Sequence, residues 1–210
     1  GTINSKEVAS YFKGIYEVKY DAGSARSFFN TMDKNSDGSV NKDEFERYER
    51  SSSYQPSGTS ILEGIMEATD GKGSVTYDPR ADNLSKDGVV IAVIGEYPYA
   101  EGYGDSPTIG LNSFDEAVLE RCYKSGNQVI VIILSGRPLV IKDHVDRWNG
   151  FIAAWLPGMA GEGVSDVLFG DFSPTGKLSF SWPRDTGQLP LNEGDQDYDP
   201  LFPFGHGLSY

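Results

Sequence analysis

The chain is poor in the residues that most often make a site by themselves. Its 210 residues include one cysteine, Cys122, and two histidines, His144 and His206. A single thiol excludes an internal disulfide and a cysteine-based zinc site. Cys122 falls beside apolar positions of an expected helix, which makes it a buried thiol. Neither histidine lies in a nucleophile-elbow context, so a Ser/His/Asp hydrolase has no support. No apolar run approaches the length needed to span a membrane. Positive charge is also scarce: 18 Lys and Arg stand against 31 Asp and Glu, for a net charge of −13. That field repels nucleic acid and anionic membrane, and it suits a protein that captures cations. No Gly-x-Gly-x-x-Gly follows a strand and opens a helix, which argues against a nucleotide-binding sheet. There is no initiator Met and no signal peptide, so a chain beginning Gly1-Thr2 is expected to be processed or part of something longer.

What is present falls into two parts. Asn4-Ser-Lys-Glu7 has capping-box spacing, and Val8, Phe12, Ile15 and Tyr16 then recur at helical spacing over residues 5–19. A second helix is expected from Ser24, carrying Phe28, Phe29 and Met32. Next comes Asp33-Lys-Asn35-Ser-Asp37-Gly38-Ser39-Val40-Asn41-Lys-Asp-Glu44. This matches an EF-hand calcium loop: Asp33, Asn35 and Asp37 offer side-chain oxygens at positions one, three and five. Gly38 takes the turn, Ser39 offers its carbonyl, Asn41 stands where ligation often runs through water, and Glu44 closes the loop as a bidentate ligand. Ca2+ is the expected cofactor, with magnesium the weaker alternative. EF-hands usually pair, and no second loop is visible, which favours a structural or modest-affinity site. The expected organisation is a helical segment over 1–52, a linker over 53–58, and a larger domain over 59–210.

In that larger domain the period changes. Helices are expected at Thr59–Thr69, from the capping box Ser113-Phe-Asp-Glu116, and at Glu162–Phe169. Strands are expected at Ser74–Tyr77, Val89–Glu96, Gln128–Leu134 and Phe151–Leu156, with Leu178–Trp182 at an edge. Strand–helix alternation predicts an α/β fold, a mainly parallel sheet sandwiched by helices, with the small all-α EF-hand segment at the N-terminus. Val89-Val-Ile-Ala-Val-Ile-Gly-Glu96 reads as a strand buried on both faces. It runs into Tyr97-Pro-Tyr-Ala-Glu101-Gly-Tyr-Gly-Asp105, a loop with carboxylates, tyrosines and glycines at the strand's C-terminal end, where open α/β sheets bind ligands. Glu96, Tyr99 and Asp105 are candidates to line a site for a hydroxyl-rich, sugar-like ligand. Ser135-Gly-Arg137-Pro reads as a turn. The proline-rich aromatic tail, Asp195–Tyr210, is expected to wrap the domain as an ordered extension.

Several phrases together resemble the C-terminal α/β sandwich domain of glycoside hydrolase family 3. They are Gly58-Thr-Ser-Ile-Leu-Glu-Gly-Ile65, Gly95-Glu-Tyr-Pro-Tyr-Ala-Glu-Gly-Tyr-Gly-Asp105, Leu134-Ser-Gly-Arg-Pro138, Ala154-Trp-Leu-Pro-Gly158, Gly161-Glu-Gly-Val-Ser-Asp-Val-Leu-Phe-Gly-Asp171, Pro174-Thr-Gly-Lys-Leu178 and Pro203-Phe-Gly-His-Gly-Leu-Ser-Tyr210. They follow the family's order from about residue 57 to the end, and are most similar to its exo-glucanase and β-glucosidase branch. The resemblance implies a retaining glycosidase whose nucleophilic aspartate comes from a (β/α)8 barrel. It makes Glu101 the acid/base, the substrate a β-glucan or β-glucoside, and the location extracellular or secretory/periplasmic. A retaining pair needs two carboxyls about 5–5.5 Å apart, one protonated at rest.

Two departures shape the expectation. No barrel lies in these residues, and the family's first strand, with its Gly-Trp-Thr segment, is replaced by residues 1–58. None of Trp148, Trp155 and Trp182 stands in that place. Trp155 and Trp182 fall in expected strands and are packing residues. The first hypothesis is therefore a calcium-binding C-terminal part of a family 3 enzyme, inactive alone and completed by a barrel from the same precursor or another chain. The alternative is a non-catalytic calcium-binding scaffold or carbohydrate-binding protein that reuses the sandwich. Both predict a partner chain, because a missing strand leaves an apolar edge that must be covered.

Overall fold

The computed structural model describes residues 3–4, 32–37, 39–41, 44, 58–99 and 104–210. The helices expected over 5–19 and from Ser24, together with Gly38 and Glu101, lie outside the described residues. The chain divides into two compact units, Gly1–Ser57 and Gly58–Tyr210. In the first, β1 (Ile3–Asn4) pairs antiparallel with β2 (Ser39–Val40), Ile3 opposite Val40 and Asn4 opposite Ser39. Met32, just before the acidic loop, and Val40, within it, are buried.

The second unit is built on a three-stranded parallel sheet in the order β3 (Val89–Gly95), β4 (Gln128–Leu134), β5 (Gly150–Trp155). Its helices are α1 (Ile61–Ala68), α2 (Ser113–Ser125), the short α3 (Lys142–Val145) and α4 (Gly161–Phe169). This is the α/β architecture that the alternation of periods predicts. β4 is central, and Val129, Val131, Ile132 and Ile133 are at most 2 % exposed. A continuous β-branched run is suited to that place, since both of its faces are covered.

β3 corrects the expectation of a strand buried on both faces. Among the described residues it pairs only with β4, and Val89 and Val93 stand 53 % and 43 % exposed. Its Ala92 and Ile94 are buried in the core with Leu119 and Cys122 of α2. The segment 74–77 forms no strand: it finds no partner ladder, and Val75 and Tyr77 are exposed. Leu178–Trp182 is likewise no regular strand. Trp182 makes one antiparallel bridge with Phe202 of the tail, and its indole N–H donates to the Leu139 carbonyl at 2.7 Å. At 1 % exposed, packed edge-to-face on Phe151 and tilted on Trp155, Trp182 centres the aromatic end of the core. The tail lies on this end through paired backbone hydrogen bonds, Leu178 with His206 and Gly205, Trp182 with Leu201 and Phe202.

Helix ends follow local chemistry. Ser60 and Glu63 form the capping box of α1. α2 is capped by Asn112, not Ser113, because the Asn112 side chain accepts from the Asp115 N–H at 2.9 Å. α1 and α4 pack closely because Gly64 and Gly161 carry no Cβ: one on Gly64 would fall 2.8 Å from the Ser165 hydroxyl, and one on Gly161 2.3 Å from the Ser60 carbonyl oxygen.

Candidate functional site at the C-terminal rim of the sheet

Parallel register brings Gly95, the last residue of β3, beside Leu134, the last of β4. The residues that follow each strand, Glu96 and Ser135, therefore emerge side by side. The approach is tight: the Glu96 N–H donates to the Leu134 carbonyl at 2.9 Å, and a Cβ on Gly95 would fall 1.9 Å from that oxygen. Gly95 also has φ +156, so only glycine fits without strain. On the other side the ladder slips between Ile133 and Leu134, and Trp155 adopts φ +55 while its carbonyl accepts the Ser135 N–H at 3.1 Å. The rim is thus irregular at the points where the chain leaves the strands.

Glu96 is the hub. Arg137 holds it through Nη2 at 2.6 Å from Oε1 and through Nε at 3.0 and 3.2 Å from the two carboxylate oxygens. The Ser135 hydroxyl donates to Oε2 at 2.5 Å and accepts the Arg137 N–H at 3.1 Å. The remaining arm of the guanidinium, Nη1, donates to the Gly104 carbonyl at 2.5 Å. The Tyr99 ring lies under the guanidinium, 4.5 Å from its centroid. Gly104 and Gly136 make room for that ring, since a Cβ on either would fall 2.2 and 3.0 Å from Tyr99 atoms.

The electrostatics follow from these contacts. Burial pushes the Glu96 carboxyl up, but hydrogen bonds from Arg137, Ser135 and Tyr99 and the Arg137 charge outweigh it, leaving Glu96 below the ordinary carboxylate range. Burial, then the Glu96 hydrogen bond and charge, raise the Tyr99 phenol. The hydrogen bond to Glu96 holds Arg137 more firmly protonated. Beside this cluster, Asp115 in the first turn of α2 accepts the Gly95 N–H at 3.1 Å and the Asn112 amide at 2.8 Å. Burial dominates there and raises its carboxyl.

Of the rim residues singled out in the sequence, Glu96 and Tyr99 come together. Asp105 is exposed, its charge acting on Arg137, and Glu101 lies outside the described residues. Ser135 and Arg137 were read only as a turn. A signal for them exists: a lone basic residue just past a strand that neighbours the acidic loop's own strand. In the first unit, Asp33 and Glu44 are buried, while Asn35 and Asp37 are exposed. Glu44 accepts the N–H groups of Lys34, Asn35 and Asn41 at 3.1 to 3.2 Å and the Asn41 side-chain amide at 2.8 Å. Asp37 donates its N–H to Asp33 at 3.2 Å, and hydrogen bonds from Ser39 hold the Asp37 carboxyl below its ordinary value. Among the described residues, no three His, Cys, Asp or Glu side chains converge on one ion position. A cavity of about 570 Å³ lies along β5, lined by Phe151, Trp155, Trp182, Phe202, His206 and Tyr210. No carboxylate lines it, so it cannot supply either member of a glycosidase carboxyl pair.

The parallel sheet and its Glu96 rim give an α/β architecture, and comparison with known proteins places it in a family. The glycosyl hydrolase family 3 C-terminal domain matches residues 19–210, and the chain belongs to that family. It is 32 % identical over 189 residues to a β-xylosidase of Formosa agariphila, covering 76 % of this chain and 26 % of that protein. It is 30 % identical over 169 residues to a periplasmic β-glucosidase of Salmonella typhimurium, covering 65 % and 22 %. Among solved structures, an exo-1,3/1,4-β-glucanase of a Pseudoalteromonas species superposes with TM-score 0.68 at 42 % identity, covering 73 % of this chain and 21 % of the other. The chain thus spans about a quarter of the length of these relatives. No helix among the described residues is long and apolar enough to cross a membrane.

Proposed function

We infer that this chain is the sandwich part of a family 3 β-glycosidase and supplies Glu101 as the acid/base to a site completed by a (β/α)8 barrel from outside these residues. The observation that carries the reading is the anchored rim: Arg137 fixes both Glu96 and Gly104, on either side of Glu101, at the end of the sheet where α/β folds act. The activities of the relatives, β-xylosidase, β-glucosidase and exo-glucanase, agree on a β-glycoside as substrate. In the retaining reaction a barrel carboxylate forms a bond to the anomeric carbon while Glu101 gives its proton to the departing glycosidic oxygen. Glu101 then takes a proton from water as the water oxygen attacks the same carbon and the bond to the nucleophile breaks. A periplasmic relative supports an extracellular, secretory or periplasmic location.

The test is turnover by the chain together with its barrel. Glu101→Gln is expected to lower kcat/KM for alkyl β-glycosides by about 10²–10⁴-fold, the usual worth of positioned acid–base catalysis. Dinitrophenyl glycosides, whose leaving group needs no proton, should lose far less in the first step. Equal losses on both would remove Glu101 from the acid position, and turnover by this chain alone would remove the need for a barrel.

The loop at 33–44 supports a second reading, calcium binding by Asp33, Asn35, Asp37, Ser39, Asn41 and Glu44. It is supported by the spacing of these oxygens and by the burial of the two carboxylates that begin and end the loop. The ion would supply the positive charge that the N–H donors around Glu44 do not carry. Titration calorimetry with calcium checks it. Glu44→Gln should weaken binding by more than the roughly 10–100-fold that changes one shell further out produce, and absence of heat with the unaltered chain would refute it.

A further inference from the structure

We propose that Arg137 is the positioning residue of the Glu101 loop, holding the loop's two ends in one grip. One guanidinium spans Glu96, five residues before Glu101, and Gly104, three residues after it. Charge-assisted, multi-point hydrogen bonding of this kind fixes direction as well as distance, because the guanidinium is planar and its donors are fixed in a fork. Each part of the grip has its own support. Ser135 binds both the Glu96 carboxylate and the Arg137 backbone, so the carboxylate and the turn that carries the arginine cannot move independently. Tyr99 closes the face of the guanidinium on the loop side. The pair is largely withdrawn from solvent, with the Arg137 and Glu96 side chains 26 % and 17 % exposed. A general acid must stand within hydrogen-bond reach of the glycosidic oxygen, so an error of about 1 Å in where the loop starts or ends costs rate. Lysine cannot substitute, since one ammonium is a point charge without the fork.

This assignment rests on the acid/base reading of Glu101, and the two are separable by experiment. Chymotrypsin cleavage after Tyr99 and Tyr103 reads the grip in this chain alone, whatever Glu101 does. In Arg137→Met, cleavage there should accelerate by about tenfold or more, the equivalent of one lost charge-assisted hydrogen bond. Other sites in 58–210 should be cut at their original rate. Arg137→Lys, the milder change, should fall between, and it decides the matter if the methionine variant does not fold. Unchanged cleavage at Tyr99 and Tyr103 overturns the proposal, and so does acceleration spread over the whole unit, which marks a merely structural arginine. With the barrel present, Arg137→Met should lower kcat on alkyl glycosides more than on dinitrophenyl glycosides, with KM little changed. If Glu101→Gln shows that leaving-group split and Arg137→Met does not, Arg137 is not a positioning residue. If neither shows it, the reading of Glu101 fails while the cleavage result still decides the grip.

Discussion

Glu44 and Glu96 are both carboxylates drawn out of water at the edge of an acidic loop, and they are satisfied in opposite ways. Glu44, 4 % exposed, is held among the described residues by backbone N–H groups and the amide of Asn41. Those donors are neutral, so they orient the carboxylate and leave its charge in place. Glu96 is met by a guanidinium and a hydroxyl. Its charge is matched within the fold. Among the described partners, the first arrangement leaves a net negative charge and the second neutralises it. The difference lies in what stands next door: the turn after β4 brings Arg137 to Glu96, while Lys34, Asn35 and Asn41 bring N–H groups to Glu44.

The comparison breaks most visibly at Arg137. Arg137→Met leaves the Glu96 charge half-buried without its cation, and hydrogen exchange of the rim amides is expected to show local protection lower by about 3 kcal/mol, with urea unfolding of the second unit little changed. Adding Glu96→Gln to the same chain should recover most of that protection, since no unmatched charge then remains. If the double variant is as weakly protected as the single, the charge pairing is not what anchors the rim. Glu44→Gln should produce a smaller loss in calcium-free buffer, about 1 kcal/mol, because a glutamine oxygen still accepts some of the N–H groups. That loss should be confined to residues 24–50, leaving the melt of 58–210 unchanged; a joint collapse would contradict the two-module division.

The smallest effect is in acid. The folded-state pKa of Glu96 is depressed, so its contribution is complete above the ordinary glutamate value near 4.3 and is lost as pH falls through the lower folded value. Asp115, whose folded pKa is raised, has the opposite sign: its contribution is present below the ordinary aspartate value and fades as pH rises through the folded one. Stability measured at pH 6 and again near pH 3 should therefore fall less in Glu96→Gln than in the unaltered chain. An equal fall would show that Glu96 is not the group being titrated.

Much of this was legible beforehand, for identifiable reasons. β4 could be read directly because Gln128–Leu134 is apolar throughout, and only a strand covered on both faces requires that. The apolar run of β3 looked the same and was misplaced, because composition does not tell a central strand from one paired on a single side. The segment 74–77 had strand-like residues, but a strand exists only where a neighbour offers its ladder. The shift of the α2 cap from Ser113 to Asn112 is a one-residue matter of which side chain reaches the Asp115 N–H. Glu96 and Tyr99 could be picked out from their place after a strand. Their partner could not, because Arg137 lies 41 residues away and only parallel register puts Leu134 beside Gly95.

By itself, then, the sequence determined the alternation that makes an α/β sheet, the family, and the residue types at the two acidic loops. These depend on local period and spacing, which the chain carries in one dimension. Tertiary structure alone decided that Glu96 meets Arg137. That depends on which strand ends lie about 4.8 Å apart in the sheet, and no local pattern records such a distance.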